Sequence, residues 1–175
     1  MKKIILVALL ITSSLNSFSQ DTIYWSPCYI LKWEDFQGKV DSSSQFGAVS
    51  RPGIKYYLSA NEDSFNVKVI SFFIKSMSWS RLKSSDTLLM HEQVHFDIAE
   101  LFARKLRKSF SEYKFNYLTV GKYIDKLFLL NKQERTKIDT LYDEETNFSR
   151  NRKQQLLWNK KIKAELDKLK KYASF

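Results

Sequence analysis

The only two histidines of this 175-residue chain, His91 and His95, are the ends of one pentapeptide, His91-Glu92-Gln93-Val94-His95. Residues four apart share a face of an α-helix, so both imidazoles can reach one metal ion. Glu92, one position after the first histidine, can then serve as general base on a water held by that ion. A His-Glu-x-x-His helix is the arrangement that zinc-dependent peptide hydrolysis uses. The plain alternative is a pair of surface histidines beside a glutamate. The surrounding sequence has to decide between the two.

That surrounding sequence reads as a buried helix. Ser84-Ser85-Asp86-Thr87 offers N-cap side chains, and Lys105, Arg107 and Lys108 gather at the far end, where they complement the helix dipole. No Gly or Pro interrupts Thr87 to Phe110. Val94, Ile98 and Leu101 recur at helical spacing, as do His95, Phe102 and Leu106 one face over. A helix apolar over most of its circumference is a buried one. Unpaired polar groups are costly there, so two imidazoles and a carboxylate need a reason, and a metal supplies one.

The remaining sequence bounds the setting. Lys2 and Lys3, the apolar run Ile4 to Ile11 and the small residues of Ser17-Phe18-Ser19 predict a cleaved signal peptide, residues 1–19. Cleavage would leave residues 20–175 as one domain of 156 residues (175 − 19) and lower the net charge from +10 to +8. No later run is long enough to span a bilayer, so the expectation is a secreted or periplasmic protein without a transmembrane segment. Cys28 is the only cysteine, which excludes an internal disulfide; a small buried thiol is expected. From Arg150 to Lys171, nine Lys or Arg face only Glu165 and Asp167. They read as a solvated helix face, or as a patch for an anionic component of the cell envelope. Nucleic acid is a poor partner for an exported chain with no binding motif.

Stepping along the chain, Thr22 to Lys32 and Ile54 to Leu58 read as short strands, with a Gly- and Ser-containing loop over Gln37 to Gly53. Asn61 to Ser64 is a turn, and Phe65 to Phe72 alternates as a strand. Two helices should follow the motif helix. Val120, Ile124, Leu127 and Phe128 mark one from about Thr119 into the 130s, and Trp158, Ile162, Leu166, Leu169 and Ala173 mark the last. Strands first and helices after predict an α+β fold with a small N-terminal sheet.

Several blocks resemble the bacterial domain-of-unknown-function family 922, described as predicted secreted zinc-dependent proteases. They are Lys32-Trp33-Glu34-Asp35-Phe36-Gln37-Gly38, Ser78-Trp79, the stretch from His91 to Glu100, and Tyr142-Asp143-Glu144-Glu145-Thr146-Asn147 with Gln154 and Trp158 behind it. The resemblance implies a zincin-like fold and a metallopeptidase, and names no substrate. It also carries a departure: where the family pattern has a histidine two residues after the threonine, this chain has Phe148.

A catalytic zinc takes three protein ligands and leaves one place for water. With no third histidine, either a carboxylate serves or the site goes without a third ligand. Glu100 is nine residues beyond His91, about two and a half turns, and points away. Asp143, in the Tyr-Asp pair that the resemblance retains, is the expected third ligand, with Glu144 and Glu145 as alternatives on a helix that Thr140 could cap. Asp97 is a candidate partner for a ligating histidine, and Tyr142 a candidate oxyanion donor. The leading expectation is an exported zinc metallopeptidase acting on protein or peptide, with Glu92 as base. The alternative is a non-catalytic envelope binding protein, a degenerate zincin in which Phe148 stands where a functional histidine was lost.

Overall fold

The structure, a computed structural model, describes residues 21–173. The expected signal peptide lies outside the described residues. The fold is α+β: a small antiparallel sheet followed by three helices.

Strands β3 (Pro52–Ala60) and β4 (Phe65–Ile74) form an antiparallel hairpin in the register Ala60 to Phe65. Its turn is the expected one. Asn61 Oδ1 accepts from the amides of Asp63 and Ser64 at 3.1 and 2.8 Å, so the side chain supplies the acceptor the tight turn needs. Strand β1 (Thr22–Tyr24) lies on the other side of β4. It ends well before Lys32, because Pro27 can offer no amide to a ladder and Trp25 to Leu31 instead form a loop. The expected loop over Gln37 to Gly53 contains β2 (Ala48–Val49), paired antiparallel with β5 (Trp79–Ser80) in a separate two-stranded sheet.

Helix α1 (Asp86–Ser111) carries the motif and is the centre of the molecule. Ser85 is its N-cap, accepting from the Leu88 amide at 3.2 Å. One side packs Ala103, Leu106 and Phe110 against Val69 of β4. Another packs Val94, Ile98, Leu101 and Phe102 against Tyr142 of helix α2 (Val120–Thr146) and against Trp158, Ile162 and Leu166 of helix α3 (Arg152–Lys168). Burying each such side chain contributes about 1.5–3 kcal/mol, so α1 is held from several directions. α2 runs unbroken to Thr146, and Thr140 is an exposed interior residue of it, not a cap. Nothing between Gly121 and Thr146 breaks a helix, and that continuity outweighs a local capping signal. α3 stops at Lys168, so Ala173 falls beyond it, after a 3-10 turn.

The Lys32–Gly38 block is structural. Phe36 is buried, Asp35 accepts from the Tyr29 hydroxyl and the Lys32 amide, and Gly38 donates to the Ser78 carbonyl at 2.7 Å. A Cβ on Gly38 would lie 2.7 Å from the Ser76 carbonyl oxygen, so only glycine permits this approach. Cys28 is exposed, not buried, because it sits on the loop that replaces the expected strand. Among the described residues, no helix is long and apolar enough to cross a membrane.

Candidate metal centre

His91 and His95 project from one face of α1 toward α2, and Asp143 projects back from the last turn of α2. Asp143 Oδ1 lies 3.1 Å from Nε2 of His91 and 3.0 Å from Nε2 of His95. These three residues form a group that could hold a metal ion, with ligand atoms all within 4.8 Å of one another. Glu144 and Glu145 are not brought there. Glu144 is exposed, and Glu145 accepts from the Trp158 indole at 2.7 Å.

The other nitrogen of each imidazole is occupied, which sets the orientation of each ring. His91 Nδ1 donates to Gln155 Oε1 at 3.0 Å, and His95 Nδ1 donates to Asp139 Oδ1 at 3.0 Å. Both Nε2 atoms are therefore left to face Asp143. Gln155 is fully buried and is itself held, its amide donating to Asn159 at 2.8 Å and to the Tyr142 hydroxyl. Asp139 is steadied by Arg135, whose Nε lies 3.1 Å from Oδ2. Ending the second helix in the 130s hides Asp139, and Gln155, on α3, carries no local signal of its role. For Asp139 the signal was present: Asp139 and Asp143 are four apart, mirroring His91 and His95 on the facing helix.

The electrostatics follow from this enclosure. Burial alone would lower the His95 pKa, but hydrogen bonds to Asp139 and Asp143 and the charge of Glu92 outweigh it and raise it to about 10. Burial would push Asp143 up, yet the hydrogen bonds from His91 and His95 hold it well below the usual carboxylate range.

The site opens on a cleft of about 860 Å³. One wall is Gln45 to Pro52, including β2; another is Asn147 to Arg150 with Arg152. Glu92 lines the cleft, is only 4% exposed, and has no hydrogen-bond or ion-pair partner among the described residues. Asn147, Phe148 and Ser149 adopt left-handed backbone in succession, with φ of 46°, 50° and 73°. Such conformations cost on the order of 1–3 kcal/mol each for non-glycine residues, and they turn this segment into the cleft wall. Phe148 is on that wall, tilted against Phe46 with ring centroids 5.3 Å apart.

Two candidates take other roles. Asp97 touches neither histidine; it accepts from the Trp25 indole at 2.8 Å and from Gln93 at 3.0 Å, anchoring the N-terminal loop. The Tyr142 ring stacks on His91 at 4.5 Å, and its hydroxyl donates to the His91 carbonyl at 3.2 Å. That hydroxyl is fully buried behind the histidines, and it does not line the cleft as an oxyanion donor would. Glu100 points away from the histidines: it binds Ser71, Arg104 and Arg107, tying α1 to β4.

No family model, curated protein or solved structure matches the chain. The resemblance to family 922 therefore rests on the residue blocks alone.

Proposed function

We propose that this chain is an exported zinc metallopeptidase of zincin-like type. The observation that carries the reading is the convergence of His91 Nε2, His95 Nε2 and Asp143 Oδ1 at one end of a cleft. The donor set suits zinc, which takes nitrogen and carboxylate ligands at 2.0–2.2 Å; tetrahedral neighbours are then about 3.3 Å apart. The observed 3.0–3.1 Å separations need to widen by only a few tenths of an ångström. When bound, zinc supplies Lewis acidity and lowers the pKa of its water toward neutrality.

The remaining roles belong to the protein. Gln155 and Asp139 orient the two imidazoles. Glu92, unpartnered in the same cleft, accepts a proton from the attacking water and passes it to the leaving amine. A peptide suits the cleft because, among the described residues, β2 pairs with β5 alone, so an extended chain could join its other edge.

One observation favours the second reading, a non-catalytic envelope binding protein: Phe148 lines the cleft, and its ring cannot donate a hydrogen bond to a developing oxyanion. The experiment that separates the readings is a peptide-library digest with zinc-loaded wild type and Glu92→Gln. Glu92→Gln keeps shape and should keep one equivalent of zinc while turnover falls by about 10²–10⁴-fold. Equal cleavage by both proteins refutes the base assignment, and zinc binding without cleavage by either favours the binding protein.

A further inference from the structure

The chain has seven arginines and 22 lysines, 29 basic residues in all. Four of the seven arginines, Arg51, Arg135, Arg150 and Arg152, line the cleft, and no lysine among the described residues does. Arg51 comes from the wall that includes β2, and Arg150 and Arg152 from the wall that joins α2 to α3. Nearly a hundred residues separate the two groups in sequence, so their meeting is a product of the fold.

The acidic groups of the cleft do not neutralise them. Asp143 and Asp139 are engaged by the histidines, and Arg135 is engaged by Asp139 and by the Pro52 carbonyl, to which it donates at 3.0 Å. That leaves Glu92 against three exposed guanidinium groups. Arg51, Arg150 and Arg152 have no side-chain hydrogen bond, ion pair or aromatic partner among the described residues. The remaining arginines differ: Arg81 holds the carbonyls of Asp41 and Ser44, and Arg104 and Arg107 grip Glu100. Arginine without lysine is informative, because the planar guanidinium fork matches a carboxylate with two parallel hydrogen bonds, whereas an ammonium is a point charge.

We propose that the cleft selects peptides bearing carboxylates near the bond to be cut, bound by Arg51 from one wall and by Arg150 and Arg152 from the other. This rests on the metallopeptidase reading above and names its substrate class. The cleft volume lies within the range of ligand pockets, about 300–1,000 Å³. His91, His95 and Asp143 line the same cleft, so a group reaching these arginines shares it with the metal-binding residues. The carboxylates can be Asp or Glu side chains or a peptide C-terminus, and both present the same chemistry to the fork.

The test uses zinc-loaded full chain with paired peptide libraries: one rich in Asp and Glu, the other with Asn and Gln at the same positions, each with a free or an amidated C-terminus. The variant is Arg51→Gln/Arg150→Gln/Arg152→Gln, whose exposed positions leave the fold intact. Solvated ion pairs are individually weak, so three together should favour the acidic library by about tenfold in kcat/KM, mainly through KM. The preference should shrink with added salt and vanish in the variant, the acidic library losing about tenfold relative to the neutral one. Preference for the acidic over the neutral library assigns side-chain carboxylates, and preference for free over amidated peptides assigns the C-terminus. Equal cleavage of acidic and neutral libraries by wild type, unaffected by amidation, overturns the inference and leaves the peptidase reading standing. Labelled peptides are also titrated into zinc-loaded Glu92→Gln by fluorescence anisotropy. Acidic-selective binding, abolished by adding the three Gln substitutions, supports the carboxylate assignment even if no library is cut, an outcome that would overturn only the peptidase reading. Binding with neither an acidic preference nor a dependence on a free C-terminus overturns the inference.

Discussion

Replacing Gln155 with Leu removes a group that never touches the ion yet should weaken its binding. Gln155 Oε1 is the acceptor for His91 Nδ1 at 3.0 Å, and the next available oxygen, Thr146 Oγ1, is 3.5 Å away, too far to replace it well. In the metal-loaded protein Nε2 of His91 is committed to the ion, so Nδ1 must carry a hydrogen and stays buried without a partner. An unsatisfied buried donor costs about 1–3 kcal/mol, or roughly 5- to 150-fold in affinity. Loss of an outer partner to a ligating histidine spans a similar range, about 10–100-fold. The metal-free protein can change tautomer or turn the ring, so most of the penalty should appear in metal affinity and little in folding. Leu has nearly the volume of Gln, which limits repacking around the fully buried site. Zinc affinity is measured by competition with a chromophoric chelator, with circular dichroism and metal-free Tm as folding controls. A folded Gln155→Leu protein that binds zinc within twofold of wild type would refute the reasoning.

Three further outcomes are expected. Asp143→Ala should lose stoichiometric zinc by equilibrium dialysis, whereas Glu144→Ala and Glu145→Ala should keep it; retention by Asp143→Ala would remove it from the ligand set. Because His95 keeps its proton up to about pH 10 in the metal-free protein, zinc must displace that proton at neutral pH. Affinity should therefore rise with pH by about tenfold per unit per proton released, and calorimetry in buffers of different ionisation enthalpy should detect the release. Glu100→Ala strands Arg104, which is 4% exposed, and the Ser71 hydroxyl, so urea denaturation should show a loss of about 3–5 kcal/mol with zinc stoichiometry unchanged. A loss below 1 kcal/mol would mean water replaces the carboxylate there.

The features readable from the chain alone are local. The spacing of His91, Glu92 and His95, the cap at Ser85, the turn at Asn61 and the alternation of β4 all follow from interactions within a few residues. They were legible because 3.6- and 2-residue periods are written directly in the chain. The rejection of Glu100 belongs to the same class, since it needs only the helix pitch. Where two local signals competed, the reading failed: Thr140 looks like a cap, but the uninterrupted run of helix-compatible residues carried α2 through it to Thr146. That extra length puts Asp139 on the helix, one turn before Asp143.

The tertiary structure decided the rest, because those contacts join residues far apart in the chain. Asp143, Asp139 and Gln155 meet the histidines across 44 to 64 residues, through the packing of α1 against α2 and α3. That packing is set by Val94, Ile98, Phe102, Tyr142, Trp158 and Ile162, none of which does chemistry in the cleft. The same closure turns Tyr142 behind the histidines, assigns Asp97 to Trp25, and gathers Arg51 with Arg150 and Arg152 around one opening. Helical periodicity specifies which residues share a face; only the buried surface between elements specifies which faces meet.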